Sequence, residues 1–200
     1  MPSKNIVKQW DLPSYYHVYN RGAGGNVIFS DSEDKYKFLS LIKRYIRPVA
    51  ERDKADELYP YYPVEVLAYC LMGSHFHLLL YQEEHTSSIS DLMKSVSTSY
   101  TMYRNRKYKS QGHLFQSIFK ASQIRDEAYF KHITCYIHMN PRTYKTYKWS
   151  SIGAYIGDSS VLPVNAARVN DMSPAKYLTF LEEYESNKAE LELLKEQLAL

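Results

Sequence analysis

Two histidines separated by one residue, His75-Phe76-His77, lie inside the apolar run Val66 to Leu80. Farther along comes Tyr136-Ile137-His138-Met139-Asn140-Pro141. On a strand, residues i and i+2 project to the same face. His75 and His77 therefore point together, while Phe76 and Leu78 face away. Two neutral imidazoles so placed can ligate one divalent ion. On a helix, Tyr136 and Asn140 share a face, with His132 one turn earlier. Pro141 ends that helix near Asn140, which puts the amide at the negative end of the helix dipole, where a cation is favoured. A side-chain amide oxygen suits a hard cation such as Mg²⁺ or Mn²⁺ as a third ligand. Tyr136 offers a phenolic nucleophile. An unperturbed phenol has a pKa of about 10, so attack on phosphorus needs help from a nearby base or from a cation acting as Lewis acid. The product would be a covalent phosphotyrosine, which keeps the bond energy for rejoining. A metal site and a tyrosine in one small basic domain point to phosphodiester chemistry on nucleic acid.

Each motif also has a plain structural reading. A His-x-His pair fits two partly buried histidines bonded to water or carbonyls. Tyr136 and Asn140 fit a packed tyrosine and a helix end, in a chain with 20 tyrosines. Tyr129, one heptad earlier on nearly the same helix face, is a rival nucleophile. Other histidine enzymes fit less well. A histidine-triad hydrolase needs a third histidine where Leu79 stands. A zincin needs HExxH. Neither is present.

The elements that must carry these residues follow from pattern and punctuation. The 200 residues suffice for one domain with a core. No apolar stretch reaches transmembrane length. The N-terminus lacks the apolar run of a signal peptide, so a cytoplasmic protein without membrane association is expected. Cys70 and Cys135 are isolated and read as buried thiols, not as a zinc site. The net charge of +3 is uneven: residues 182–200 hold six glutamates against two lysines, net −4, leaving +7 for residues 1–181. That sign suits phosphates. Tyr15 to Tyr19 reads as a strand, followed by the glycine-rich loop Asn20 to Asn26. Asp31 or Ser32 caps a helix to about Arg47, ended by Pro48. Residues 49–63 read as a loop. Val64 to Leu71 and His75 to Tyr81 form antiparallel strands joined by Gly73-Ser74. Thr86 to about Tyr108 is an amphipathic helix with a basic end at Arg104, Arg106, Lys107 and Lys109. Phe115 to Ile124 is expected as a fourth strand. Asp126 caps a helix through about Met139. Ser173-Pro174 starts a C-terminal helix, whose continuation Glu185 to Leu200 carries Leu191, Leu194 and Leu198 on one stripe. The order predicts an α+β, ferredoxin-like sandwich, an antiparallel sheet with helices on one face, plus a C-terminal helical extension. The expected divisions are a catalytic domain over 1–157, a linker over 158–172 and the C-terminal helix over 173–200.

With these segments in order, the chain resembles the REP-associated tyrosine transposases, a branch of the single-tyrosine HUH (IS200-like) transposases. The resemblance runs from about Tyr15 to Tyr155. It rests on Tyr16-His17-Val18-Tyr19-Asn20-Arg21-Gly22, on Ala68 to Met72 leading into His75-Phe76-His77-Leu78-Leu79-Leu80, and on Gly112-His113-Leu114-Phe115-Gln116 with Phe119-Lys120-Ala121. The Tyr136 to Pro141 motif and Trp149-Ser150-Ser151 complete it. The resemblance implies the HUH fold, a metal on His75 and His77 with Asn140 beside it, and Tyr136, not Tyr129, as nucleophile. It implies cleavage and rejoining of single-stranded DNA at hairpin-forming palindromes through a 5′-phosphotyrosine. Asn20, Arg21, Lys94, Arg104, Arg106, Lys107 and Lys120 are the expected DNA contacts. The chain departs from the family in three places. Gly73-Ser74 replaces Pro-Asn before the histidines. Ile118 replaces an arginine, and Arg142-Thr143 replaces Val-Arg after Asn-Pro. The last two bear on DNA contacts and leave the catalytic set intact.

Two further readings compete: a non-catalytic DNA-hairpin binder or regulator that keeps the fold, and a small-molecule metallophosphodiesterase. The basic stretch near Arg104 to Lys109 favours a polymer over a small substrate. The sequence is compatible with a monomer or a homodimer.

Overall fold

The computed structural model describes residues 10–51, 54, 58–126 and 128–186. Four strands form the sheet: β1 (Ser14–Arg21), β2 (Val64–Leu71), β3 (His75–Gln82) and β4 (Lys120–Ile124). Five α-helices accompany them: α1 (Ser32–Ile46), α2 (Ser88–Tyr108), α3 (Ala128–His138), α4 (Ile152–Tyr155) and α5 (Pro174–Ser186). The strand order is β2-β3-β1-β4 and every neighbouring pair is antiparallel. With α1 between β1 and β2 and α2 between β3 and β4, this is the ferredoxin-like α+β arrangement that the pattern of elements predicts. Local chemistry sets the boundaries. The Asp31 carboxylate accepts the Asp34 backbone N–H at 2.9 Å and starts α1. The Ser173 hydroxyl accepts from the Lys176 N–H at 3.4 Å, and Pro174 opens α5. The stripe of Leu191, Leu194 and Leu198 lies outside the described residues.

The alternation of strand residues sorts the sheet into two faces. Tyr16, Val18, Phe76, Leu78 and Leu80 bury against Phe38 and Ile42 of α1 and Leu92, Val96 and Tyr100 of α2. Leu79, Tyr81 and Ile124 bury on the opposite face with Ile133 and Ile137 of α3 and with Tyr177 and Leu181 of α5. Thus α1 and α2 share one face, as expected, and α3 with the chain that follows it covers the other. An α3 of apolar Ile133, Cys135 and Ile137 needs such a surface to bury its stripe. A register shift between Val66 and Ala68 interrupts β2. The extra residue puts both Leu67 and Ala68 toward α3, and returns Tyr69 and Leu71 to the α1–α2 side with Val64 and Val66.

The free edge of β2 is covered by later chain. The Leu71 N–H donates to the Trp149 carbonyl at 2.9 Å, Ser151 N–H to Tyr69 at 3.0 Å and Asn165 N–H to Val66 at 3.0 Å. Residues 158–172 therefore lie along the sheet, with Leu162 and Val169 buried and Arg168 forked onto Glu65 at 2.6 and 2.9 Å. Covering an edge in this way removes a template for pairing between molecules.

The fourth strand starts later than the expected Phe115: it begins at Lys120. Phe115 makes only an isolated bridge to Gly22, and the Asn20 side-chain amide donates to the Ser117 carbonyl at 3.0 Å. The Gln116 N–H still donates to the Arg21 carbonyl at 2.9 Å, and residues 117–119 are led away from the ladder before Lys120 rejoins it. A Cβ on Gly22 would lie 2.0 Å from the Asn26 carbonyl oxygen, so this turn admits only glycine.

Candidate active site

Register assembles the site. His75 stands opposite Arg21, and His77 stands opposite Tyr19, which in turn stands opposite Lys120 on β4. These five side chains share one face of the sheet. Helix α3 crosses that face and brings Tyr136 to the same spot. Together with Asn20, Gln116 and Ser117 they line a cavity of about 240 Å³. The His75 and His77 rings are 5.2 Å apart and nearly perpendicular. The Tyr136 ring stands edge-on to His77 at 5.4 Å. Tyr129 does not line the cavity, whereas Tyr19 does.

Asn140 meets the histidines from the end of α3. Its Nδ2 donates to the Tyr136 carbonyl at 2.8 Å, which orients the amide. Its Oδ1 then faces His75 Nε2 at 3.4 Å. Among the described residues no cluster of three His, Cys, Asp or Glu could hold a metal; the amide oxygen, beside His75, could serve as a third donor. Two donor atoms, each about 2.1 Å from one cation, stand about 3.0–3.4 Å apart at octahedral to tetrahedral angles. The spacing of His75 Nε2 and Asn140 Oδ1 meets that requirement. Both imidazoles are held neutral, as ligation needs. Burial pushes His75 below its usual range, the amide of Asn140 opposes this and Arg21 adds to it. Burial pushes His77 much lower still, reinforced by His17 and His75. Two imidazoles and one amide oxygen make a neutral set with room for water and phosphate oxygens, which suits a hard divalent ion.

The Tyr136 phenol is pushed well above its ordinary value by burial, an effect the Asn140 amide partly offsets and Tyr19 adds to. As a nucleophile it depends on a cation or a base brought close to it. Arg21 and Lys120 supply positive charge at the cavity. Lys120 Nζ also sits over the Tyr19 ring at 5.8 Å. Arg21 is exposed and its Nε donates to the Gln116 side chain.

The other expected DNA contacts separate into two groups. Lys94 lines a second groove of about 1070 Å³, with Trp10, Met93, Phe115 and Phe119. This groove meets the cavity through Asn20, Gln116 and Ser117. Arg106 is exposed near the end of α2. Arg104 and Lys107 are corrected by the structure. Arg104 is buried; its guanidinium donates to the carbonyls of Ile28 and Val27 at 3.0 Å and to the Ser30 hydroxyl at 2.8 Å. Lys107 is held by Asp31, Glu33 and Asp34 at 2.8 to 3.0 Å. Both serve the buried Asp34 and the start of α1, a pairing that charge patterning along α2 does not reveal.

Two histidines near the motifs turn elsewhere. His138 is fully buried, bonded through Nδ1 to the Tyr177 hydroxyl at 2.7 Å and through Nε2 to Ser151 at 2.8 Å. It ties α3 to α5 and to the edge of β2. His132, expected on the Tyr136 face, bonds instead to the Tyr184 hydroxyl at 3.0 Å. Tyr19 and His17 are the residues at the site that sequence pattern left without a role. Strand alternation places both on the face of His77 once β1 and β3 are known to pair.

Comparison with known proteins bears on the family and the fold. A family model described as "Transposase IS200 like" matches residues 35–140. The solved structure of a REP-associated tyrosine transposase bound to a REP hairpin has a TM-score of 0.58 and 13% sequence identity. That likeness covers 86% of this chain and 96% of the other, and it is one of fold. A crystal structure from Deinococcus radiodurans R1, described as a candidate transposase, is 14% identical over 64% of this chain and 88% of its own. Its TM-score is 0.39. No curated protein matches the chain. Among the described residues no helix is long and apolar enough to cross a membrane.

Proposed function

The chain belongs to the IS200-like transposase family, and on that premise we propose that it nicks and rejoins single-stranded DNA through a covalent phosphotyrosine on Tyr136. The observation that carries this reading is convergence. His75 and His77 from β3 and Tyr136 from α3 meet at one cavity, and Asn140, just past the end of α3, contacts His75 there, all within a single chain. One chain thus holds the whole set, which supports a monomer as the active unit.

His75, His77 and Asn140 would hold a divalent cation, Mg²⁺ or Mn²⁺. When bound, the cation supplies Lewis-acid polarisation of the scissile phosphate. The chain's own groups do the rest. Arg21 and Lys120 draw the phosphate into the cavity and face its charge. The Tyr136 oxygen forms a bond to phosphorus while the bond to the 3′ oxygen breaks, and the phenolic proton leaves to solvent. The 3′ oxygen takes up a proton. The product is a 5′-phosphotyrosine and a free 3′-hydroxyl, and attack by a 3′-hydroxyl reverses the step. Burial of the phenol keeps it protonated and inert until the site is loaded.

The substrate is proposed to be single-stranded DNA beside a hairpin-forming palindrome. The relative of shared fold is bound to a REP hairpin. The aromatic and lysine-lined groove next to the cavity suits unpaired bases stacked on Trp10, Phe115 or Phe119. Incubation with Mg²⁺ or Mn²⁺ and a hairpin-flanked oligonucleotide should give an SDS-resistant protein–DNA adduct that chelator prevents. Salt-sensitive binding with no adduct under any divalent ion would replace this reading with a non-catalytic hairpin binder.

A further inference from the structure

His17 takes no part in the step above, yet it is fully buried against the proposed metal ligand His77. Their rings are 5.2 Å apart and within 12° of parallel. His17 Nε2 lies 3.0 Å from His77 Nδ1. The contact follows from register: His17 stands opposite Leu79, so His77 is its diagonal neighbour on the same face.

A neutral imidazole carries one N–H and one lone pair. The single hydrogen between these rings therefore decides the state of His77. If His17 donates, His77 keeps its hydrogen on Nε2 and that nitrogen cannot ligate. If His77 donates from Nδ1, its Nε2 presents a lone pair. The second arrangement puts the His17 hydrogen on Nδ1, where it needs an acceptor. His17 Nδ1 is buried with no partner, and so is the Ser122 hydroxyl oxygen. His17 and Ser122 are directly paired across β1 and β4. Paired residues project side by side on one face, so the two unpartnered atoms belong to adjacent side chains.

We infer that His17 is a positioning residue: it accepts the Nδ1 hydrogen of His77 and so leaves His77 Nε2 free for a cation, and the neighbouring Ser122 hydroxyl, not bonded to His17 in this conformation, becomes the acceptor for the His17 Nδ1 hydrogen by rotation of the serine side chain. The inference rests on the metal role proposed for His77. His75 has a parallel support in Ser74, whose hydroxyl lies 3.2 Å from His75 Nδ1. Metal-binding histidines ordinarily use their second nitrogen in this manner.

The tautomer is measurable without any metal. Long-range ¹H–¹⁵N correlation of the metal-free protein should show His77 with its hydrogen on Nδ1 and His17 with its hydrogen also on Nδ1. His77 protonated on Nε2 would overturn the inference. Calorimetric titration with Mn²⁺ alone adds a second readout. His17→Phe, which keeps the ring and removes the acceptor, should weaken Mn²⁺ binding about 10- to 100-fold, while His17→Gln, which restores an acceptor oxygen, should recover part of it. Ser122→Ala, a small change that leaves the ring stack in place, should shift the His77 tautomer in the same direction and by less. Equal Mn²⁺ affinity and an unchanged His77 tautomer in His17→Phe would also overturn it. Failure of the wild type to bind Mn²⁺ with the tautomers as stated would instead count against the metal reading of the cavity.

Discussion

The two faces of β3 have the same backbone and opposite uses. On one side Phe76, Leu78 and Leu80 are sealed under α1 and α2. On the other, His75 and His77 open to a cavity beneath α3. The apolar face holds the strand in place, and its tightness lets the polar face be aimed. Buried histidines and a buried phenol are costly by themselves, and a rigid sheet is what allows them to be kept within bonding distance of a cation or a phosphate.

The sharpest way to break this comparison is to alter neighbouring residues on opposite faces. His75→Ala should cost at least about 100-fold in adduct formation through loss of a ligand, with little change in stability because His75 is only half-buried. Phe76→Ala should do the reverse. It removes a fully buried ring and should destabilise the fold by about 3–5 kcal/mol. Denaturant unfolding and the adduct assay, run on both variants, separate the two effects. Equal losses of stability would mean that the faces are not divided as described.

The same contrast applies to the basic residues of α2. Arg104→Ala should cost about 3 kcal/mol of stability, since it strips a partner from buried Asp34. Burial alone would push the Asp34 carboxyl up, and the bonds from Lys107, Ser30, Tyr108 and Tyr103 bring it below its ordinary value. Lowering pH should weaken the histidine-bearing face. Unfolded histidines protonate near 6.5, whereas burial holds folded His17 and His138 down to about 3. The unfolded chain binds more protons in that window, so stability falls as pH drops below about 6.5, by up to about 1.4 kcal/mol per pH unit for each group. Unfolding curves at pH 7 and pH 5 of equal midpoint would contradict this. The smallest effect is expected at the groove: Lys94→Ala should leave stability unchanged and reduce the salt dependence of DNA binding by about one phosphate contact.

Periodicity within one element was readable from the residues alone. The i, i+2 spacing of His75 and His77 and the i, i+4 spacing of Tyr136 and Asn140 each specify a shared face. Strand β2 begins and ends where pattern puts it, at Val64 and Leu71. What pattern does not carry is which neighbour that face meets. His17 and Tyr19 join the site only because β1 pairs with β3 in one particular register. Arg104 and Lys107 look like the basic end of a helix until Asp34 is seen beneath them. The late start of β4 depends on Asn20 binding the Ser117 carbonyl, a contact between distant segments. In each case the missing information is a partner far away in the chain.

The central claim is that Tyr136, among the tyrosines near the histidines, forms the bond to DNA. Mass spectrometry of the trapped adduct after nuclease and protease digestion tests it directly. The nucleotide should be found on Tyr136, with no adduct in Tyr136→Phe and adduct retained in Tyr19→Phe and Tyr129→Phe. A nucleotide on Tyr19 or Tyr129, or undiminished adduct in Tyr136→Phe, would contradict it.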